Sequence, residues 1–141
     1  MEGHDFSFSA FKGTKNFTQW QVATANATGF GAPADDYAER GIDLNEQLVQ
    51  NKAATFYMRV NSTAMTGAGI FNGDVVIVDR SIEANNGKII IAVIDGELLI
   101  RKLEIIGNKK KLVPATSKLS PIDVDGELKV WGVVTYVIHK V

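Results

Sequence analysis

From residue 55 onwards, short runs of β-branched and aliphatic residues alternate with dipeptides that contain glycine, and this pattern constrains the fold more than any other feature. The runs cover residues 55–60, 74–79, 88–94, 97–103, 111–113 and 128–140. The dipeptides are Asn72-Gly73, Asn86-Gly87, Asp95-Gly96, Gly107-Asn108 and Asp125-Gly126. Such runs favour strands, and such dipeptides favour tight turns. The sequence therefore predicts a mostly β fold, a small and strongly bent antiparallel sheet or partial barrel.

Asp95-Gly96 is the clearest of these turn signals. A two-residue type I′ turn needs positive φ at both central positions, which Asp-Gly tolerates. The sequence therefore predicts that residues 89–94 and 97–103 pair as a β-hairpin. The run Lys109-Lys110-Lys111 follows Gly107-Asn108 and is interpreted as the solvated tip of another hairpin, because a phosphate-binding patch would need further basic residues on the same face.

The length and composition suit one soluble globular domain with an appendage. The chain has 141 residues, of which 45% are hydrophobic and 22% are charged. The longest apolar run, residues 89–94, is too short to cross a bilayer. The first residues include acids and form no secretory signal, so we expect a cytoplasmic protein with no membrane partner.

The composition changes near residue 40. Residues 1–40 carry scattered aromatics but few aliphatic residues, which predicts an arm that packs on its own body or on a partner chain. Residues 41–141 are predicted to form the β-rich domain. At its start, Asp43 and Glu46 have the spacing of a capping box, which predicts a short helix over residues 44–51.

The inventory of reactive residues excludes several kinds of site. The chain has no cysteine, which removes disulfides, thiolate zinc sites and cysteine nucleophiles. Its two histidines, His4 and His139, lie near opposite ends, so neither a two-histidine metal site nor a histidine-based triad is expected. We expect no cofactor. The net charge of −1 gives no electrostatic footprint of a nucleic-acid binder.

Four segments resemble, in order and spacing, the UmuD branch of the LexA-like self-cleaving proteins, peptidase family S24. They are GFGAPADDYAERGIDLN, MRVNSTAMTGAGIFNGDVVIVDRS, DGELLIRKLEI and WGVVTYVIHKV. The resemblance implies a β-rich domain with a serine-lysine dyad that cuts its own N-terminal arm when stimulated by RecA filaments. It also implies a dimer that then joins a Y-family polymerase subunit to copy damaged DNA. The UmuD branch has no DNA-binding domain, and residues 1–40 show no helix-turn-helix pattern.

The resemblance assigns the site residue by residue. The nucleophile motif falls on Ser62, Thr63, Ala64 and Met65, with the nucleophile position at Ala64. The general-base position falls on Arg101. The scissile bond falls between Thr28 and Gly29, although that dipeptide can also be read as a simple bend in the arm.

Both reactive groups of the dyad are therefore replaced. A serine-lysine mechanism needs an oxygen nucleophile and a neutral amine, which burial of a lysine supplies by lowering its pKa. An alanine methyl cannot attack a carbonyl. A guanidinium stays protonated in proteins and cannot accept the serine proton. The sequence predicts a domain that does not cleave itself.

Neighbouring residues are not expected to replace the dyad. Lys102 should point to the strand face opposite that of Arg101, and Ser62 lies two residues before the nucleophile position. Arg101 itself has two interpretations, a half-exposed strand residue whose head reaches water or a functional arginine, and the first is favoured.

Ala64 also has two explanations, a deliberate replacement of serine or natural divergence. Divergence is favoured because Arg101, Thr63 and Ser62 depart from the family motif as well. The main hypothesis is a homodimeric accessory protein of the SOS response that docks on a RecA-type filament and a Y-family polymerase subunit. The alternatives are an active RecA-stimulated serine peptidase whose nucleophile was changed, and a protein that forms mixed dimers with an active paralogue.

Overall fold

The computed structural model describes residues 6–10, 22–23, 38–39, 41 and 43–141. The chain divides into two compact units, one formed by Met1–Phe11 with Asn51–Val141 and the other by Lys12–Gln50. The boundary proposed between residues 40 and 41 stays a prediction.

The described residues form ten strands, one α-helix and one 3-10 turn. The strands are β1 (Phe6–Ala10), β2 (Val22–Ala23), β3 (Ala38–Glu39), β4 (Thr55–Val60), β5 (Val75–Asp79), β6 (Ile89–Ile94), β7 (Glu97–Ile106), β8 (Lys109–Val113), β9 (Ile122–Val124) and β10 (Lys129–Ile138). The α-helix, α1, spans Leu44–Leu48, and the 3-10 turn spans Thr66–Ala68.

The smaller unit contains α1 and a two-stranded ladder of β2 with β3. The side chain of Asp43 accepts a hydrogen bond from the Asn45 N–H at 3.0 Å, which confirms the predicted N-cap. The predicted end at residue 51 was wrong. The helix stops at Leu48 because Val49 takes extended backbone angles, with φ −107° and ψ 103°.

The larger unit is one antiparallel sheet in the order β1-β4-β5-β10-β6-β7-β8-β9. Strand β10 joins its two halves, because its C-terminal part pairs with β5 and its N-terminal part pairs with β6. The register shifts between Val130 and Gly132 and again between Val134 and Tyr136. Bulges of this kind bend a strand and increase its twist, so β10 is expected to bend where it joins the two halves.

The Asp95-Gly96 hairpin is confirmed. Asp95 has φ 51° and Gly96 has φ 80°, and β6 pairs with β7 from Ile94 opposite Glu97. The interpretation of the lysine run was wrong, because Lys109 to Lys111 are the first three residues of β8 and not a turn tip. The turn closes at Gly107-Asn108, with Gly107 at φ 60°, so pairing resumes at once between Ile106 and Lys109.

Two clusters of buried side chains hold the sheet together. The first core cluster contains Met58, Val60, Ala64, Met65, Ile70, Val76, Val78, Ile91 and Ile100. The second core cluster contains Ile90, Ala92, Leu103, Leu112 and Val133. Ile90 and Ile91 are adjacent in β6 but belong to different clusters, because successive side chains of a strand point to opposite faces. The mostly β class, with an antiparallel sheet and one short helix in the described residues, is confirmed.

Candidate functional site

The segment that links β4 to β5, residues 61–73, contains the nucleophile position and is called the nucleophile loop below. Two backbone hydrogen bonds close its stem. The Val60 N–H donates to the Asp74 carbonyl at 2.7 Å, and the Gly73 N–H donates to the Val60 carbonyl at 2.8 Å. Gly73 has φ 92°, a conformation that glycine adopts readily. The Asn72-Gly73 signal in the sequence therefore marks the turn that closes the loop.

Ala64 is held in place through its backbone. Its N–H donates to Ser62 Oγ at 3.0 Å, and its carbonyl accepts from the Ala115 N–H at 2.7 Å. The residue is 1% exposed and belongs to the first core cluster. The methyl group is therefore enclosed, at a position whose main chain is bonded on both sides.

Gly67 forms a second hydrogen bond between the nucleophile loop and Ala115. Its N–H donates to the Ala115 carbonyl at 2.8 Å. A Cβ built on Gly67 would lie 2.5 Å from that carbonyl oxygen, a distance that real Cβ atoms essentially never show. Glycine is therefore required here for the close approach of two backbones.

The remaining residues of the motif differ in exposure. Met65 is buried in the first core cluster, whereas Thr63 is exposed. Ser62 is half-buried, and its oxygen is used as the acceptor for the Ala64 N–H. The serine hydroxyl that lies nearest in sequence to the nucleophile position thus has a local structural role.

Arg101 lies in β7 opposite Ile90. It is only 6% exposed, so its interpretation as a half-exposed strand residue was wrong. Its Nη1 donates to the Ile100 carbonyl at 2.7 Å, which turns the guanidinium back along the strand. A cation removed from water must be bonded by polar groups, and the carbonyl supplies one such bond. A permanently charged group therefore lies buried at the general-base position.

Two observations relate the nucleophile loop to β7. Ala64 shares the first core cluster with Ile100, the residue before Arg101. Ala115, which bonds Ala64, lies two residues after β8, the strand that pairs with β7. The nucleophile loop and β7 therefore contribute side chains to the same core cluster.

Lys102 is exposed, whereas Arg101 is buried. A lysine base needs burial, so Lys102 lacks the environment that a substitute base would require. The predicted scissile bond, Thr28-Gly29, lies outside the described residues and stays a prediction.

The sequence reasoning missed a buried carboxylate at the stem of the nucleophile loop. Asp74 is 4% exposed. Its Oδ2 accepts from the Phe71 N–H at 2.8 Å, and its Oδ1 lies 2.6 Å from His139 Nδ1. Burial is the largest influence and raises the pKa of Asp74, but the hydrogen bonds from Phe71 and His139 and the charge of His139 lower it below its ordinary value of 3.8. Nothing in the sequence indicates this pair, since 65 residues separate its members.

Within the described ranges, no group of three or more histidine, cysteine, aspartate or glutamate side chains could hold a metal ion. No helix in that part of the chain is long and apolar enough to cross a membrane.

Comparison with known proteins agrees with this geometry. Residues 21–135 match the family described as Peptidase S24-like. Protein ImpA of Salmonella typhimurium is 38% identical over 79% of this chain and 77% of its own length. Protein SamA of Salmonella typhimurium strain LT2 is 38% identical over 79% of each chain. Protein MucA of Escherichia coli is 34% identical over 78% of this chain and 77% of its own length.

The matched region includes the nucleophile loop and β7, so the two dyad positions lie inside the family domain. The similarity also extends over most of the length of each relative. The chain therefore belongs to the S24-like peptidase family, in its UmuD-like branch.

Proposed function

We propose that this UmuD-like protein of the SOS response supports error-prone translesion DNA synthesis as a docking partner that does not cut itself. The observation that carries the proposal is the pair of residues at the predicted dyad positions, Ala64 and Arg101, both buried in a domain whose nucleophile loop keeps its backbone hydrogen bonds.

The chemistry of the two residues supports the absence of cleavage. An alanine methyl has no lone pair to attack a carbonyl, and a guanidinium cannot accept a proton at physiological pH. In other serine hydrolases, loss of the nucleophile alone lowers kcat by roughly a million-fold. Ser62 does not offer a replacement, because its oxygen accepts the Ala64 N–H within the loop. The remaining activity would be too slow to process the arm.

The hydrogen-bonded backbone of the nucleophile loop supports binding as the activity that this domain retains. The Gly67 and Ala64 bonds to Ala115 keep the nucleophile loop closed even though no reaction depends on its geometry. Exposed apolar side chains also occur at consecutive positions, with Tyr136, Val137 and Ile138 between 39% and 45% exposed. Exposed apolar surface of this kind marks protein interaction sites.

The partners that suit this function are those of the family. The protein forms a homodimer in the cytoplasm and docks on a RecA-type filament and on a Y-family polymerase subunit. Mixed dimers with a catalytically active paralogue would give a second route to regulation, in which the arm of this chain serves as a substrate of the paralogue.

One experiment separates docking from cleavage. The purified chain is incubated with RecA filaments on single-stranded DNA, and in parallel at alkaline pH, and its mass is followed over days. We expect an unchanged mass together with co-sedimentation of the chain with the filament. A fragment that begins at Gly29 would overturn the proposal.

The alternative function is an active serine peptidase whose serine was replaced by Ala64. The bonded nucleophile loop favours it, because this loop would hold a serine in a fixed backbone conformation. Reading codon 64 of the native gene distinguishes the two. A serine codon would restore the enzyme hypothesis, and an alanine codon would support natural loss.

A further inference from the structure

The buried carboxylate of Asp74 connects the nucleophile loop with the residue that follows β10. Toward the nucleophile loop, its Oδ2 accepts from the Phe71 N–H at 2.8 Å, and its backbone carbonyl accepts from the Val60 N–H at 2.7 Å. Asp74 therefore takes part in the stem and in the last turn of the loop. A carboxylate that accepts a backbone N–H in a buried place restrains the loop more than an exposed one could.

Toward the C-terminus, the same carboxylate contacts His139. The Oδ1 atom lies 2.6 Å from His139 Nδ1, and the imidazole ring lies 5.1 Å from the ring of Phe71. The His139 side chain is 46% exposed, whereas the Asp74 side chain is 4% exposed. The histidine thus sits at the surface and reaches down to a buried partner.

His139 directly follows the part of β10 that has one strand neighbour. Pairing of β10 with β6 reaches Val133, whereas pairing with β5 runs from Val133 to Ile138. Tyr136, Val137 and Ile138 are all exposed, so little side-chain burial holds this strand end. The contact of His139 with Asp74 therefore adds a side-chain bond just beyond the end of β10, next to the ladder that pairs Ile138 with Val75.

We propose that the His139–Asp74 contact is a latch that couples the exposed end of β10 to the stem of the nucleophile loop. When the end of β10 loosens or binds a partner, the stem of the nucleophile loop opens more or less often. Because such coupling is reciprocal, opening of the stem also changes how firmly the end of β10 is held. This inference goes beyond the docking function and holds whether or not the chain cleaves itself.

Other charged groups lie near the latch. The Arg59 side chain, from β4, donates to the Gly73 carbonyl at 2.8 Å, next to Asp74. Lys140 follows His139 in the chain and is exposed. The latch is formed by His139 and Asp74, so Lys140→Ala provides a charge-changing control that leaves the latch residues in place.

Native-state hydrogen exchange of the full chain tests the latch. In His139→Ala, we expect the Phe71 and Val60 amides to exchange about tenfold faster, because a hydrogen bond to a charged group contributes about this much to a local equilibrium. The Leu103 amide, which donates to the Lys88 carbonyl, should keep its rate. His139→Asn, whose amide nitrogen can occupy the place of Nδ1, should restore protection, and Lys140→Ala should change nothing.

A double-mutant cycle distinguishes coupling from a merely local contact. Val137→Gly weakens the strand end at an exposed position and should speed exchange of the Phe71 amide in the wild-type background. In the His139→Ala background it should have no further effect. Three results would overturn the inference: an unchanged Phe71 amide in His139→Ala, equally faster exchange at every amide including Leu103, or the same effect of Val137→Gly in both backgrounds.

Discussion

Restoring the two reactive groups tests whether the rest of the peptidase site survives. The variants are Ala64→Ser, Arg101→Lys and the double change. The serine would supply the nucleophile at a backbone position that is bonded on both sides, and the lysine would supply an amine at a buried strand position. We expect cleavage at Thr28-Gly29 only in the double variant, because each single variant still lacks one of the two groups that the chemistry requires.

The burial and hydrogen bonds of the two positions set the expected changes in the free energy of unfolding. Arg101→Lys removes the bond from Nη1 to the Ile100 carbonyl and places an ammonium at a position where the arginine is only 6% exposed, so we expect a loss of about 2–4 kcal/mol in the free energy of unfolding. Ala64→Ser places a hydroxyl where a methyl is 1% exposed, at a cost of about 1–3 kcal/mol if the hydroxyl finds no partner. In the double variant, a combined loss smaller than the sum of the single losses would show that the two new groups bond each other.

The assay follows the fragment that begins at Gly29 by mass spectrometry, at alkaline pH and with RecA filaments, while urea unfolding confirms that each variant is folded. Gly29→Glu in the double background tests which bond is cut. Cleavage by the wild-type chain or by Arg101→Lys alone would refute the assignment of Ala64 as the missing nucleophile. A folded double variant that stays intact would show that more than two groups were lost.

Three further predictions concern stability. Gly67→Ala should lower the free energy of unfolding by about 2–3 kcal/mol, because the new Cβ would lie 2.5 Å from a carbonyl oxygen; Gly69→Ala, at φ 83° with open space, should cost only about 1 kcal/mol, and equal losses would contradict the clash. Asp74→Asn should destabilise the protein near neutral pH. The pKa of Asp74 is lower in the folded than in the unfolded protein, so its carboxylate stabilises the fold above about pH 4, and this contribution is lost as the pH falls through the folded-state pKa. The difference in stability between variant and wild type should therefore shrink below about pH 4, and a pH-independent difference would refute this. Arg80→Ala should cost about 1–2 kcal/mol by thermal unfolding, because its Nε donates to the Trp131 carbonyl at 2.8 Å and its guanidinium lies 4.3 Å from the indole centroid, and a variant as stable as wild type would count against both contacts.

Local chemistry explains which strands the sequence could predict. The Asp95-Gly96 turn requires positive φ at two adjacent positions, and few dipeptides tolerate that, so the hairpin of β6 and β7 could be located from residues alone. Strand β9 was missed because it has only three residues, and it exists because β8 provides a ladder for it. A segment this short has too little periodicity to signal a strand.

The residues of the candidate site also differ in how much the sequence predicts about them. The assignment of Ala64 and Arg101 to the two dyad positions stays a prediction of the sequence, which could make it because it depends on residue type and spacing. The burial of Arg101 could not be, since an arginine in a strand is usually exposed and only the packing around β7 decides otherwise.

The sequence by itself determined most strands of the larger unit and the family, because each of these depends on residue types that are close in the chain or in a characteristic spacing. Only the tertiary structure decided that Gly67 must approach Ala115 and that Asp74 is bonded to His139. Both contacts join residues that are far apart in sequence, and their formation depends on how the sheet brings loop, strand end and core together. Local conformational preferences of the chain do not determine long-range contacts of this kind.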